Sequence, residues 1–228
     1  MHFRGLRKTL LFVLLASVAS EAAAPALGGN ASLTSSYIFR GIRQFHGVAF
    51  QGTAEIAWNR WTAGLWTSNV ELESGSGNEI DPYLKFGLVT GNVAAELGIT
   101  AYAYDFHAYD NSADFEFEAF GSVSFKSLSV SVYVVPPQKS TEGGLSESCY
   151  WIEIGGDRSV KSLDLAVGCS FGTYSSRFLA IPKKDAVGFL SIAVSKRILN
   201  PVILSWNAVL PAADALDRQF WTSLEVPF

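Results

Sequence analysis

Carboxylates recur at every second residue where the chain reads DFEFEAFGSVSF (114–125), with Glu116 and Glu118 alternating with Phe115, Phe117 and Ala119. In an extended strand successive side chains point to opposite faces, so the carboxylates share one face and the rings the other. A face of carboxylates does electrostatic chemistry: it favours cations and repels anions. The same alternation puts Glu55, Asp81, Lys85, Glu96, Glu153 and Asp164 on the polar faces of other strands, with Lys85 the main cation among them. Two readings of that face stand side by side. The groups could line a narrow, cation-favouring path, or they could hydrogen-bond across a filled interior and hold the fold in shape.

Nucleophilic catalysis needs Ser or Cys near His and an orienting acid or amide. Past the leader the histidines are His46 and His107, in loop-like stretches beside Phe45 and Phe106. Asp105 and Asp110 lie near His107, but no nucleophile elbow, HExxH or comparable spacing accompanies them. No enzyme is expected. No cofactor is expected either, since a glycine-rich phosphate loop and a DxDxDG calcium loop are both missing. Cys149 and Cys169 are too few for a cysteine-based zinc site. Alternation puts Cys149 inside and Cys169 outside, which argues against a disulfide between them.

These residues need strands to position them, and period-two alternation recurs past the leader with no credible amphipathic helix. In AFQGTAEIAW, Phe50, Ile56 and Trp58 oppose Gln51, Thr53 and Glu55; in EIDPYLKFGL, Ile80, Leu84, Phe86 and Leu88 oppose Glu79, Asp81, Tyr83 and Lys85. About twelve strands are expected, near 31–40, 47–58, 61–71, 79–89, 93–105, 114–125, 128–135, 148–157, 162–174, 186–196, 201–210 and 218–228. Short turns follow every even strand, and longer, loop-like connections follow most odd ones. A soluble sandwich has no reason to sort its connections this way, whereas a transmembrane antiparallel up-and-down β-barrel does. The expected fold is therefore all-β, a barrel of about twelve strands. Its width falls between side-chain-filled eight-stranded barrels and open barrels of 16–18 strands.

Trp58 and Trp61 flank one short turn and Phe125 sits at the same end, where an interfacial aromatic girdle belongs. Phe220, Leu224, Val226 and Phe228 share one parity up to the last residue. A barrel in lipid must close, because an open edge leaves polar backbone unsatisfied. The last strand is expected to pair with ASLTSSYIFR, and Phe228 to serve as the signal read by the barrel-assembly machinery.

Residues 1–24 read as a signal peptide with an approximate cleavage point: Arg4, Arg7 and Lys8 precede the apolar TLLFVLLA and a run of small residues. Residues 25–228 would form the barrel domain. The formal charge is −4, and the leader holds a net +2 of it, leaving about −6 on the remainder. An acidic chain gives no electrostatic basis for binding nucleic acid. Only 17% of residues are charged while 49% are hydrophobic, a charge-poor balance against roughly 25% charged in average soluble domains.

NASLTSSYIFRGIRQ, AGLWTSNVE and NEIDPYLKFG together resemble the TorF-type porin family of Gram-negative bacteria. Tyr37, Phe39, Arg40, Gly41 and Gln44 carry the first motif; Ala63, Gly64, Trp66, Asn69 and Val70 the second; Glu79, Asp81, Tyr83 and Gly87 the third. GFLSIAVSKRI resembles the family's carboxy-terminal region, and residues 106–180 show no match. The resemblance implies an integral outer-membrane location after Sec export.

The expected function is a porin-like channel for passive diffusion of small hydrophilic solutes, mildly cation-preferring. The alternative is a non-conducting structural or adhesive barrel whose loops bind lipopolysaccharide or a partner. Outer-membrane lipid, lipopolysaccharide, the assembly machinery and small solutes are the expected partners. Arg40 and Arg43 are expected at the outer end of the first strand, as girdle or loop-pairing cations or as contacts to lipopolysaccharide phosphate.

Overall fold

Alternation makes strands, and antiparallel neighbours joined by tight turns make a meander that can close on itself. The computed structural model describes residues 24–72, 75–104, 115–137, 148–173, 187–212 and 217–228. The expected signal peptide, apart from Ala24, lies outside them, as does His107. The strands are β1 (Ala26–Thr34), β2 (Tyr37–Phe39), β3 (Ile42–Phe45), β4 (Ala49–Trp58), β5 (Trp61–Leu72), β6 (Gly75–Thr90) and β7 (Val93–Tyr104). They continue as β8 (Phe115–Phe125), β9 (Leu128–Val135), β10 (Cys149–Val160), β11 (Leu163–Gly172), β12 (Val187–Arg197), β13 (Ile203–Pro211) and β14 (Gln219–Pro227).

Twelve of these form one closed antiparallel barrel, in which β1 pairs with both β14 and β4. Asn30 opposes Pro227 and Thr34 opposes Ser223, and the barrel closes there. The Phe228 amide donates to the Gly29 carbonyl at 3.1 Å, and the Gly29 amide returns a bond to the Phe228 carbonyl at 3.2 Å. Asn59–Arg60, Gly91–Asn92, Lys126–Ser127 and Lys161–Ser162 are two-residue turns at one end of the barrel. Each begins with a residue at positive φ, Asn59, Gly91, Lys126 or Lys161, as the hairpin turns that match strand twist demand.

The two faces of the wall differ as alternation predicts. Phe50, Ile56, Leu65, Leu84, Leu97, Ile99, Phe117 and Val123 are exposed on the outside. Trp58 and Trp61 oppose each other across their turn, and both are exposed, as is Phe125 beside another turn of the same end. Inward parity carries serines and charged groups, among them Ser122, Ser124, Ser131, Ser191, Ser195 and Ser205. Cys149 is buried, Cys169 is exposed, and both are free thiols.

One expected strand is different. The first, expected at 31–40, is found at Ala26–Thr34. Residues beyond Thr34 do not continue up the wall. They turn inward and form a separate two-stranded sheet of β2 and β3. The reason is local turn chemistry: Arg40 and Gly41 join β2 to β3 with φ of 46° and 82°. Positive φ at both central residues makes a tight primed turn, for which glycine at the second position is the usual choice.

Candidate functional site

The β2–β3 hairpin stands inside the barrel and defines its interior. Tyr37 and Ile38 are almost fully buried. On one side Tyr37 packs with Ala49, Trp66 and Val70, its ring 5.3 Å from that of Trp66. On the other, Phe39 and Ile42 pack against the cluster of Trp151, Val187, Phe189 and Val209. The hairpin therefore bridges the β5 wall and the β10–β12–β13 wall. Apolar burial of this kind is worth on the order of 1.5–3 kcal/mol for each fully buried large side chain.

Its tip carries Arg40, and the structure places that residue in the interior rather than at the outer rim of the first strand. A guanidinium nitrogen of Arg40 lies 2.7 Å from Glu118 Oε2, with side-chain exposures of 11% and 2%. Tyr102 donates its hydroxyl to Glu118 Oε1 at 2.8 Å. The guanidinium lies over the rings of Phe39 at 4.8 Å and Tyr133 at 4.9 Å, within the range of cation–π attraction. Arg43, also expected at the rim, donates to Gln219 Oε1 on β14. At the base of the hairpin His46 Nδ1 lies 2.6 Å from Glu71 Oε2, with both side chains exposed. Gln44 is half-buried on β3.

A second polar cluster sits on β4 and β6. Lys85 Nζ is 3.0 Å from Glu55 Oε1, and Tyr83 donates its hydroxyl to the same oxygen at 2.5 Å. Tyr83 reaches Glu55 by lying flat over Gly64, its partner across the strands; any side chain at Gly64 would meet the ring. Trp151 lies over Gly172 in the same manner, which turns its indole toward Glu153, to which Nε1 donates at 3.2 Å. In both places a glycine in one strand makes room for a ring from the next.

The carboxylates proposed from alternation thus fall on the inward parity, but not as one ring of free charges. Glu118 is neutralised by Arg40, and Glu55 by Lys85. Glu153 accepts from Trp151 and Tyr133. Asp164 accepts from Ser159 at 2.5 Å near the two-residue turns. Glu96 and Glu116 are half-buried on the same face. Asp81 is deeply buried, and so is its strand neighbour Glu79. Alternation puts Glu79 on the polar face beside Asp81, and the family motif includes it, but it is not among the pore-lining carboxylates read from the sequence. The rings of Tyr102, Tyr133 and Trp151 are not among the interior functional groups read from the sequence either.

The barrel resembles solved membrane proteins. It superposes on a membrane protein from a study of in-meso crystallization with a TM-score of 0.54 and 10% identity, covering 88% of this chain and 83% of the other. An outer membrane channel of Pseudomonas putida F1 gives a TM-score of 0.50 at 10% identity, covering 92% of this chain and 97% of the other. At such identity the likeness is one of fold. No curated protein matches the sequence. The Gcw_chp family of bacterial proteins of unknown function matches residues 19–209. The chain belongs to that family.

Proposed function

We propose that this protein is an integral outer-membrane channel for passive diffusion of small hydrophilic solutes, narrowed from within by the β2–β3 hairpin. The observation that carries the reading is a closed ring of twelve strands with apolar residues outside and charged and serine-rich residues inside. Closure satisfies the backbone of every wall strand through its neighbours, which is the condition for strands to cross lipid. The fold it shares with an outer membrane channel agrees with this, as does the resemblance of its motifs to TorF-type porins. The acidic interior gives the channel a mild cation preference, with Sec export and the assembly machinery bringing it to the membrane. No catalytic step is part of the reading.

A second reading rests on the hairpin itself. Phe39 and Ile42 are packed into the opposite wall, and a hairpin fixed there makes a non-conducting barrel whose loops bind lipopolysaccharide or a partner.

The two readings part in a planar bilayer. Discrete conductance steps from the refolded chain, with a cation-directed reversal potential under a salt gradient, support the channel. Silence from protein shown to be folded and inserted supports the plugged barrel. Protein that stays in the periplasmic fraction without detergent overturns both.

A further inference from the structure

Glu79 and Asp81 are next-but-one neighbours on the buried, inward parity of β6. Their exposures are 2% and 5%. Glu79 Oε2 and Asp81 Oδ1 are buried with no hydrogen-bond partner. Tyr37 and Tyr104 stand beside the Glu79 carboxylate, and the Ala103 backbone beside that of Asp81. Among the described residues the interior cations are engaged elsewhere, Arg40 by Glu118 and Lys85 by Glu55. Two buried carboxylates with free oxygens and no cation of their own among the described residues carry a large desolvation cost, which a bound positive charge offsets.

We propose that Glu79 and Asp81 form an interior binding site for a bare monovalent cation such as sodium. This deepens the channel reading, on which its role in selectivity rests. Both free oxygens are sealed from water, so the occupant is an ion that has shed its hydration shell. Protein oxygens replace that shell in selective pores. Here they are one carboxylate oxygen from each residue and the phenolic oxygens of Tyr37 and Tyr104. Divalent ions fit less well. Among the described residues no third His, Cys, Asp or Glu completes a metal cluster. Calcium takes six to eight oxygens, and magnesium keeps several waters. The site also moves the selectivity of the interior away from Glu118, whose charge is matched by Arg40.

The test compares thermal unfolding of the refolded barrel in lipopolysaccharide-free detergent, in sodium chloride and in tetramethylammonium chloride at equal ionic strength. The expected result is a higher midpoint in sodium that disappears in the Glu79→Gln/Asp81→Asn double variant. Equal midpoints for the native chain in the two salts overturn the site and leave the pair held by protons. A sodium shift that persists in the double variant also overturns it. Should the double variant fail to fold, each single substitution is required to reduce the shift. Bilayer recording separates this proposal from the channel reading. A conducting barrel without the sodium shift refutes only the site, and a silent barrel that keeps the shift refutes only the channel. In a conducting barrel the double variant should lower the sodium-to-chloride permeability ratio at least threefold.

Discussion

Arg40, at the tip of a hairpin between the first two barrel strands, holds a guanidinium nitrogen 2.7 Å from Glu118 Oε2 on β8. The pair fixes the hairpin against β8 while Tyr37 and Phe39 fix its flanks. Breaking one partner of a buried pair is costly, on the order of 3–5 kcal/mol, because the other charge stays behind uncompensated. Arg40→Met should therefore destabilise the refolded barrel by about that amount in urea unfolding. Arg40→Met combined with Glu118→Leu should cost less than the sum of the two single changes. Strict additivity would show that the two side chains do not interact in the folded protein.

The turn that presents Arg40 is equally exposed to mutation. Gly41 sits at φ 82°, where a β-branched residue is strained by about 1–2 kcal/mol. Gly41→Val should lower stability by that order, and Gly41→Asn by less, since asparagine tolerates the left-handed region. In a conducting barrel the valine variant should also show larger or noisier current steps than the native chain. Two variants of equal stability would mean that the turn does not govern where the hairpin sits.

Gly64 tests the second cluster. A methyl group there would occupy the space of the Tyr83 ring, pushing the hydroxyl away from Glu55. Overpacking of this kind costs about 1–3 kcal/mol. Gly64→Ala should lose most of that penalty in a Tyr83→Ala background, measured again by urea unfolding. A penalty unchanged in that background would place its cause in the strand backbone and not in the ring.

Much of this protein was written in local alternation. The inward parity of Glu55, Asp81, Lys85 and Glu118, the outward parity of Phe50, Ile56 and Phe117, and the opposed faces of Cys149 and Cys169 all follow from a two-residue repeat. Tight turns at 59–60, 91–92 and 126–127 follow from the spacing of those repeats, and strand number with them. The hairpin did not follow. SSYIFR alternates well enough to extend a wall strand, because a residue on the outer face of the wall and one buried in the barrel interior are both apolar. Only the closed ring, with β1 already satisfied by β14 and β4, leaves Tyr37–Phe45 nowhere in the wall and puts it inside. Ion pairing was decided at the same level. Alternation shows that Glu118 points inward, but which charge meets it depends on strand register around the whole barrel and on a chain segment folded across its centre. Hence Arg40 pairs with Glu118, while Glu79 and Asp81, equally acidic in sequence, each keep a buried carboxylate oxygen without a hydrogen-bond partner among the described residues.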